Sequence, residues 1–303
     1  TKKSLVLTEA SLDKTWEVLN SGYWKDVPIQ YRYAYSICFH PYIPSTNLQW
    51  SPFIEMCSCL KNQLYYGVIS RFYFKLIIFR QLIPNIITAY DITVGCIQHW
   101  KAISQWRNLD YLNKIAGSRT VPIEIGSRYT EDDWTQHLVN FSDFLQEHIA
   151  KKNDQVGYLA QHQLFDQIPE LKDDFTVPEY CSFSDTDEPE RPDINAWFGP
   201  AGTVSPLHFD PKNNLLCQVF GCKRVILYHP DDTPNLYPYD TRLLNNTAQV
   251  DPLNPDYEKW PDLHKAKGIM CYLRAGEILY IPPKWWHHVV SLTPSFSVSF
   301  WWD

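Results

Sequence analysis

The chain has 303 residues, 45% hydrophobic and 20% charged, with a net charge of -7 at pH 7. That balance describes a globular protein with room for one main domain and a smaller region. It excludes any global electrostatic attraction to nucleic acid.

In chain order, residues 1–35 read as helical, because Leu12, Trp16 and Leu19 recur at helical spacing before Ser21-Gly22 ends the run. Residues 41–90 are harder. The run from Tyr65 to Arg80 is apolar, aromatic and basic, and no acidic residue occurs from Lys61 to Tyr90. Three readings compete there: a buried helix, a sequence foreign to the native fold such as a misassigned exon, and a membrane-associating segment. Arg71, Lys75 and Arg80 break the span of roughly 20 apolar residues that a crossing helix needs, so the membrane reading ranks last. A helical pattern resumes over 92–115, with Ile97, Trp100, Ile103, Trp106 and Leu109 in step, and Gly117 ends it.

The periodicity then changes. Thr120–Gly126 alternates as a strand does, which puts a boundary near Gly117 between an N-terminal helical region (1–117) and a second domain (118–303). Thr130 and Asp133 resemble a helix cap, and their helix is predicted to reach about His148. Short strand-like runs follow at Val156–Leu159, Ile194–Phe198, Asn214–Val219, Arg224–Tyr228, Gly276–Ile281 and Ser295–Trp301. Separated by Pro- and Asp-rich loops, they point to a mainly β sandwich or barrel with flanking helices. Residues 184–193 read as an acidic surface loop, and 231–268 as a long functional insertion. The 12 Trp and 19 Tyr suit a sheet-rich core and lined pockets. The eight cysteines include no CxxC pair, so buried reduced thiols in a reducing compartment are expected. No signal peptide opens the sequence, which starts at Thr1 rather than Met.

Chemistry concentrates in Ser205-Pro206-Leu207-His208-Phe209-Asp210 and in Pro282-Pro283-Lys284-Trp285-Trp286-His287-His288-Val289. A histidine and a carboxylate two apart share one face of a strand. A distant imidazole completes a two-histidine, one-carboxylate set, which leaves positions open on an octahedral Fe(II). His208, Asp210 and His287 are the expected ligands. His287 and His288 point to opposite faces of a strand, so only one joins, and spacing alone does not choose. His162, His229 and His264 lack partners at ligand spacing and read as structural. If the co-substrate is 2-oxoglutarate, its distal carboxylate needs a cation. Lys223, at the head of a strand, is the candidate anchor, with Asn214, Ser205 and Tyr158 as further donors.

These stretches resemble the JmjC-domain 2-oxoglutarate oxygenases, a double-stranded β-helix (cupin-like) family. Further matching runs are Val121–Tyr129, Gly157–Phe165, Ile194–Pro200, Leu236–Pro238 and Ser295–Trp302, covering nearly all of 119–303. The resemblance implies His208, Asp210 and His287 as iron ligands, with His288 outside. It implies Tyr158, Ser205, Asn214 and Lys223 as 2-oxoglutarate contacts, and Glu124, Trp197 and Gln161 as lining the substrate pocket. It further implies a dioxygenase that hydroxylates an arginine side chain of a protein in the nucleus or cytoplasm. Histone methyl-lysine demethylation, or a JmjC binding module without turnover, are the alternatives. Glu124 suits a guanidinium fork and Trp197 its flat face. No nucleic-acid or membrane partner is expected, and no Ser-His-Asp or Cys-His arrangement supports a peptidase.

Overall fold

The computed structural model describes residues 92–151, 155–182 and 191–303. The expectations for 1–35 and 41–90, and for most of the loop 184–193, lie outside them. The described residues all belong to one compact unit, 88–303. Among them, no helix is long and apolar enough to cross a membrane.

Among the described residues, twelve strands form two antiparallel sheets. The larger contains β1 (Ile92–Val94), β2 (Thr120–Ile125), β3 (Thr135–Asn140), β4 (Gly157–His162), β5 (Asp193–Gly199), β7 (Asn213–Phe220), β10 (Glu277–Ile281) and β12 (Ser295–Trp302), in the order β1-β10-β7-β12-β5-β4-β2-β3. The smaller contains β6 (Val204–His208), β8 (Cys222–Tyr228), β9 (Ile269–Arg274) and β11 (Trp286–Ser291), in the order β6-β11-β8-β9. This is the double-stranded β-helix expected from the resemblance.

Strand β12 shows how the sequence divides the two faces. Phe296, Val298 and Phe300 alternate with Ser295, Ser297 and Ser299, and all six are buried. The aromatic face packs outward against helices. Phe296 lies 4.5 Å from Phe198 in a stacked pair and 4.5 Å from Trp106. The serine face points between the sheets, where small side chains leave space. Val225 and Leu227 of the smaller sheet close an apolar core there with Leu279 and Ile281 of β10, in the same sheet as β12.

The boundary expected near Gly117 does not divide the packing. Strand β1 pairs with β10, and Trp106 stacks on Phe165 at 5.8 Å. Helices α1 (Lys101–Gln105) and α2 (Leu109–Ala116) are fastened by the buried Asp174. Its carboxylate accepts from Lys101 Nζ (2.7 Å), Trp106 Nε1 (2.8 Å) and the Tyr111 hydroxyl (2.8 Å). Segment 92–117 therefore packs as part of the same unit as the sheets.

The helix expected from Thr130 is also corrected. Asp133 is not a capping partner for Thr130. Its carboxylate accepts from the Ser127 backbone N–H and hydroxyl, closing a loop. Residues Thr135–Asn140 then pair along the whole of β2 as strand β3. Only at Phe141 does helix α3 (Phe141–Phe144) begin, continuing as a π-helical segment, Leu145–Ala150.

The insertion after β8 covers the outer face of the small sheet. Short 3-10 turns at Pro230–Asn235 and Pro261–Lys265 flank it, and Leu236, Val250 and Leu263 pack on Ile226 and Trp286.

Candidate metal centre and its cavity

Strand β6 ends at His208, and β11 begins one residue before His287. The two histidines are direct partners in the antiparallel pairing of these strands, so both imidazoles project from the same face. Asp210 lies just past the end of β6 rather than on it, a small correction to the shared-strand expectation. The Lys284 N–H holds its backbone carbonyl at 2.7 Å, tying it to the turn that leads into β11. Asp210 Oδ2 then lies 3.5 Å from His287 Nε2 and 4.0 Å from His208 Nε2. One ligand atom from each residue falls within 4.8 Å of the others, and this is the one such three-residue cluster among the described residues.

The electrostatics suit a cation. His208 Nδ1 is 2.7 Å from the Pro206 carbonyl and His287 Nδ1 is 3.0 Å from that of Trp285. A carbonyl only accepts, so each Nδ1 carries the proton and each Nε2 presents a lone pair to the centre. Burial, with His287 beside it, pushes His208 down to about 4, keeping it neutral as a ligand must be. His288, fully buried, points the other way and contributes nothing to the cluster.

Ser205 needs a bulge to reach the site. It is three residues before His208, which in an unbroken strand means the opposite face. The pairing with β11 slips by one residue between His287 and Val289, so Ser205 opposes Val289 while His208 opposes His287. Both side chains then line one cavity, together with Tyr158, Trp197, Asn214 and Lys223. Gly221, at φ +84, turns the chain from β7 into β8 and so sets Lys223 two residues on; a Cβ there would collide with the Pro294 carbonyl.

Lys223 is 2% exposed and has no carboxylate partner among the described residues. Its Nζ sits 5.8 Å from the centre of the Tyr158 ring. Burial lowers its ammonium to about 7. The buried Asn214 side-chain oxygen also lacks a partner. A buried lysine without a counter-charge leaves an uncompensated cation in the cavity, while the Asn214 oxygen, an acceptor, is open to a donor.

Trp197 reaches the cavity with its Nε1 donating 2.8 Å to Ser299 Oγ, so its ring orientation is set from β12. Glu124 stands opposite Tyr158 in the β2–β4 pairing and therefore on the cavity-facing side of the sheet. Burial raises its carboxyl. Its charge and that of Asp210 both act on the half-buried Tyr129 phenol, which desolvation chiefly raises. Gln161 is placed differently. It lines a separate cavity with His162, Asp193, Asn195 and Trp301. Sequence reasoning missed Leu216 and Val289, which wall the metal cavity. Period-two counting from Asn214 and His287 reaches both.

A double-stranded β-helix carrying two histidines on paired strands, with an aspartate just past the end of one of them, defines a cupin-type metal protein. A cupin-like domain pattern matches residues 92–303. Over 214 residues the chain is 55% identical to Jumonji C domain-containing protein 5 of Drosophila melanogaster, covering 69% of this chain and 53% of that one. Over 209 residues it is 50% identical to lysine-specific demethylase 8 of Xenopus tropicalis, covering 69% and 47%; over 212 residues it is 52% identical to the Danio rerio protein of that name, covering 69% and 52%. The chain belongs to the cupin-like JmjC family. It spans about half the length of these relatives. Enzymes of the family use Fe(II) and 2-oxoglutarate, and the lone pairs at the His–Asp–His cluster and the uncompensated Lys223 fit those two groups.

Proposed function

We propose that this chain is an Fe(II)- and 2-oxoglutarate-dependent protein hydroxylase, acting on an arginine side chain in the nucleus or cytoplasm. The observation that carries it is one cavity holding both the His208–Asp210–His287 cluster and a buried lysine with no counter-anion. When bound, iron with dioxygen and 2-oxoglutarate supplies the oxidation of a substrate C–H bond, with release of succinate and carbon dioxide.

The chain's own residues do the rest. His208 and His287 present neutral Nε2 atoms, and Asp210 remains ionised to balance the cation. Lys223 takes the distal carboxylate of 2-oxoglutarate, with Asn214, Ser205 and Tyr158 as flanking polar contacts. Burial keeps the Tyr158 phenol protonated, and so a donor. Trp197, held by Ser299, offers a flat face to a guanidinium, and Glu124 offers it a carboxylate. Substrate and co-substrate are thereby aligned before the chemistry begins.

Methyl-lysine demethylation is the second reading, favoured by the names of the Xenopus and Danio relatives. A methyl-lysine site calls for a cage of several aromatics rather than a carboxylate fork. The test is mass spectrometry of matched arginine and methyl-lysine peptides after incubation with Fe(II) and 2-oxoglutarate. Gain of one oxygen on the arginine peptide supports hydroxylation. Loss of a methyl from the lysine peptide alone would move the assignment to demethylation.

A further inference from the structure

We infer that Asn246 is a positioning residue for the metal ligands, acting through its grip on Phe209, the single residue between His208 and Asp210. The inference rests on the metal reading above.

The need for a grip follows from the strand ending. Strand β6 stops at His208, so Phe209 and Asp210 have left the regular ladder. A ligand on such a segment swings unless the backbone beside it is held. The Phe209 N–H donates to the Asn246 carbonyl at 3.0 Å. Asn246 Nδ2 returns a bond to the Phe209 carbonyl, also at 3.0 Å. One residue of the insertion therefore satisfies both backbone groups of Phe209. Neighbouring bonds extend the grip: Ala248 N–H donates to the Leu207 carbonyl at 2.8 Å, and Thr247 bridges His208.

Asn246 is itself fixed. Thr247 N–H closes a turn onto the Leu244 carbonyl at 2.8 Å. The buried Thr247 hydroxyl lies 3.3 Å from that of Tyr129, and Asp251 pairs with Arg128 at 3.2 Å. The strap thus runs from the ligand segment to the loop after β2, the strand that carries Glu124. On its other side Phe209 packs edge-on against Trp286, 4.9 Å away and next to His287.

The residue type is specific. The grip needs a side-chain donor at this reach, because its target is a carbonyl. Aspartate has the same shape and no donor, and its carboxylate would face the Phe209 oxygen. Partners of this kind typically change metal affinity by about 10- to 100-fold.

The experiment uses the full chain and Co(II) as a spectroscopic stand-in for Fe(II). Metal dissociation constants and visible d–d spectra are compared for the unsubstituted protein, Asn246→Asp, Asn246→Ala and a control, Asn245→Ala, at the exposed neighbour. Far-ultraviolet circular dichroism and a thermal melt accompany each. The expected result is Co(II) binding weakened about tenfold or more, with a shifted d–d band, in both Asn246 variants and not in Asn245→Ala. Lower melting temperatures with unchanged affinity and spectrum would show a purely structural role and overturn the inference. An equal loss in Asn245→Ala would overturn it too. An unsubstituted chain that binds no Co(II) would bring down the metal centre itself, a failure separable from the other two.

Discussion

His208 and His287 face one another across β6 and β11 with ring centroids 4.2 Å apart, and each donates its Nδ1 proton to the carbonyl two residues before it in the chain. The tautomer of each ligand is therefore set locally, by Pro206 and by Trp285, and both lone pairs converge without help from a distant partner. His208→Ala or His287→Ala should each abolish retention of stoichiometric Fe(II), measured by metal analysis after gel filtration.

His288 offers the contrasting case. It is 1% exposed, faces the covered side of β11, and its Nδ1 has no hydrogen-bond partner. His288→Ala should leave metal content intact and cost about 1–3 kcal/mol of stability in a urea melt, through lost packing. Loss of metal with unchanged stability would reverse the assignment of the two histidines.

With Lys223 as the proposed anchor, co-substrate binding should be proton-linked. Burial sets its ammonium at about 7, so above that pH the free protein holds a neutral amine. A bound dicarboxylate favours the charged form. Between about pH 7 and the ordinary lysine value, 2-oxoglutarate should therefore bind with uptake of a proton, and its affinity should fall as pH rises. Calorimetry in two buffers of different protonation enthalpy reads the proton count. Lys223→Arg, charged throughout, should bind without uptake.

Ser299→Ala removes the acceptor for the Trp197 indole N–H. The expected cost is roughly 1–3 kcal/mol of stability. Peptide KM should rise while the KM for 2-oxoglutarate stays put. Glu124→Gln should lower kcat/KM for an arginine peptide by at least about tenfold, since a charged fork becomes a neutral one. Equal effects on both substrates would show that these residues support the cavity in general.

Asp174 tests where the folded unit begins. Asp174→Ala orphans the Trp106 N–H and the Tyr111 hydroxyl, at a cost of about 3 kcal/mol. A fragment comprising 118–303 should be insoluble or molten, while 92–303 should melt cooperatively. Cooperative melting of the shorter fragment would restore the boundary at Gly117.

Much of the fold was legible because it is local. Asn214–Val219 and Ser295–Trp301 declare themselves as apolar or alternating runs, and the structure lengthens each by one or two residues. Strand β11 was placed only through its histidines, and its bounds do not show, because all six of its residues are buried and no alternation marks them. Strand β3 hides, because it is exposed nearly throughout and exists only by pairing with β2. The metal ligands were visible as chemistry, whereas the bulge that turns Ser205 inward was not, since a register slip depends on the partner strand. Asn246 was invisible for the same reason: its target, Phe209, is 37 residues away.

The most direct measurement is turnover under isotopically heavy dioxygen with an arginine peptide, 2-oxoglutarate and Fe(II), followed by mass spectrometry of peptide and succinate. The expected result is one heavy oxygen on an arginine side-chain carbon and one in succinate, with both signals lost in His208→Ala. Labelled succinate without any labelled peptide, across arginine and methyl-lysine substrates alike, would contradict the assignment of this cavity to protein hydroxylation.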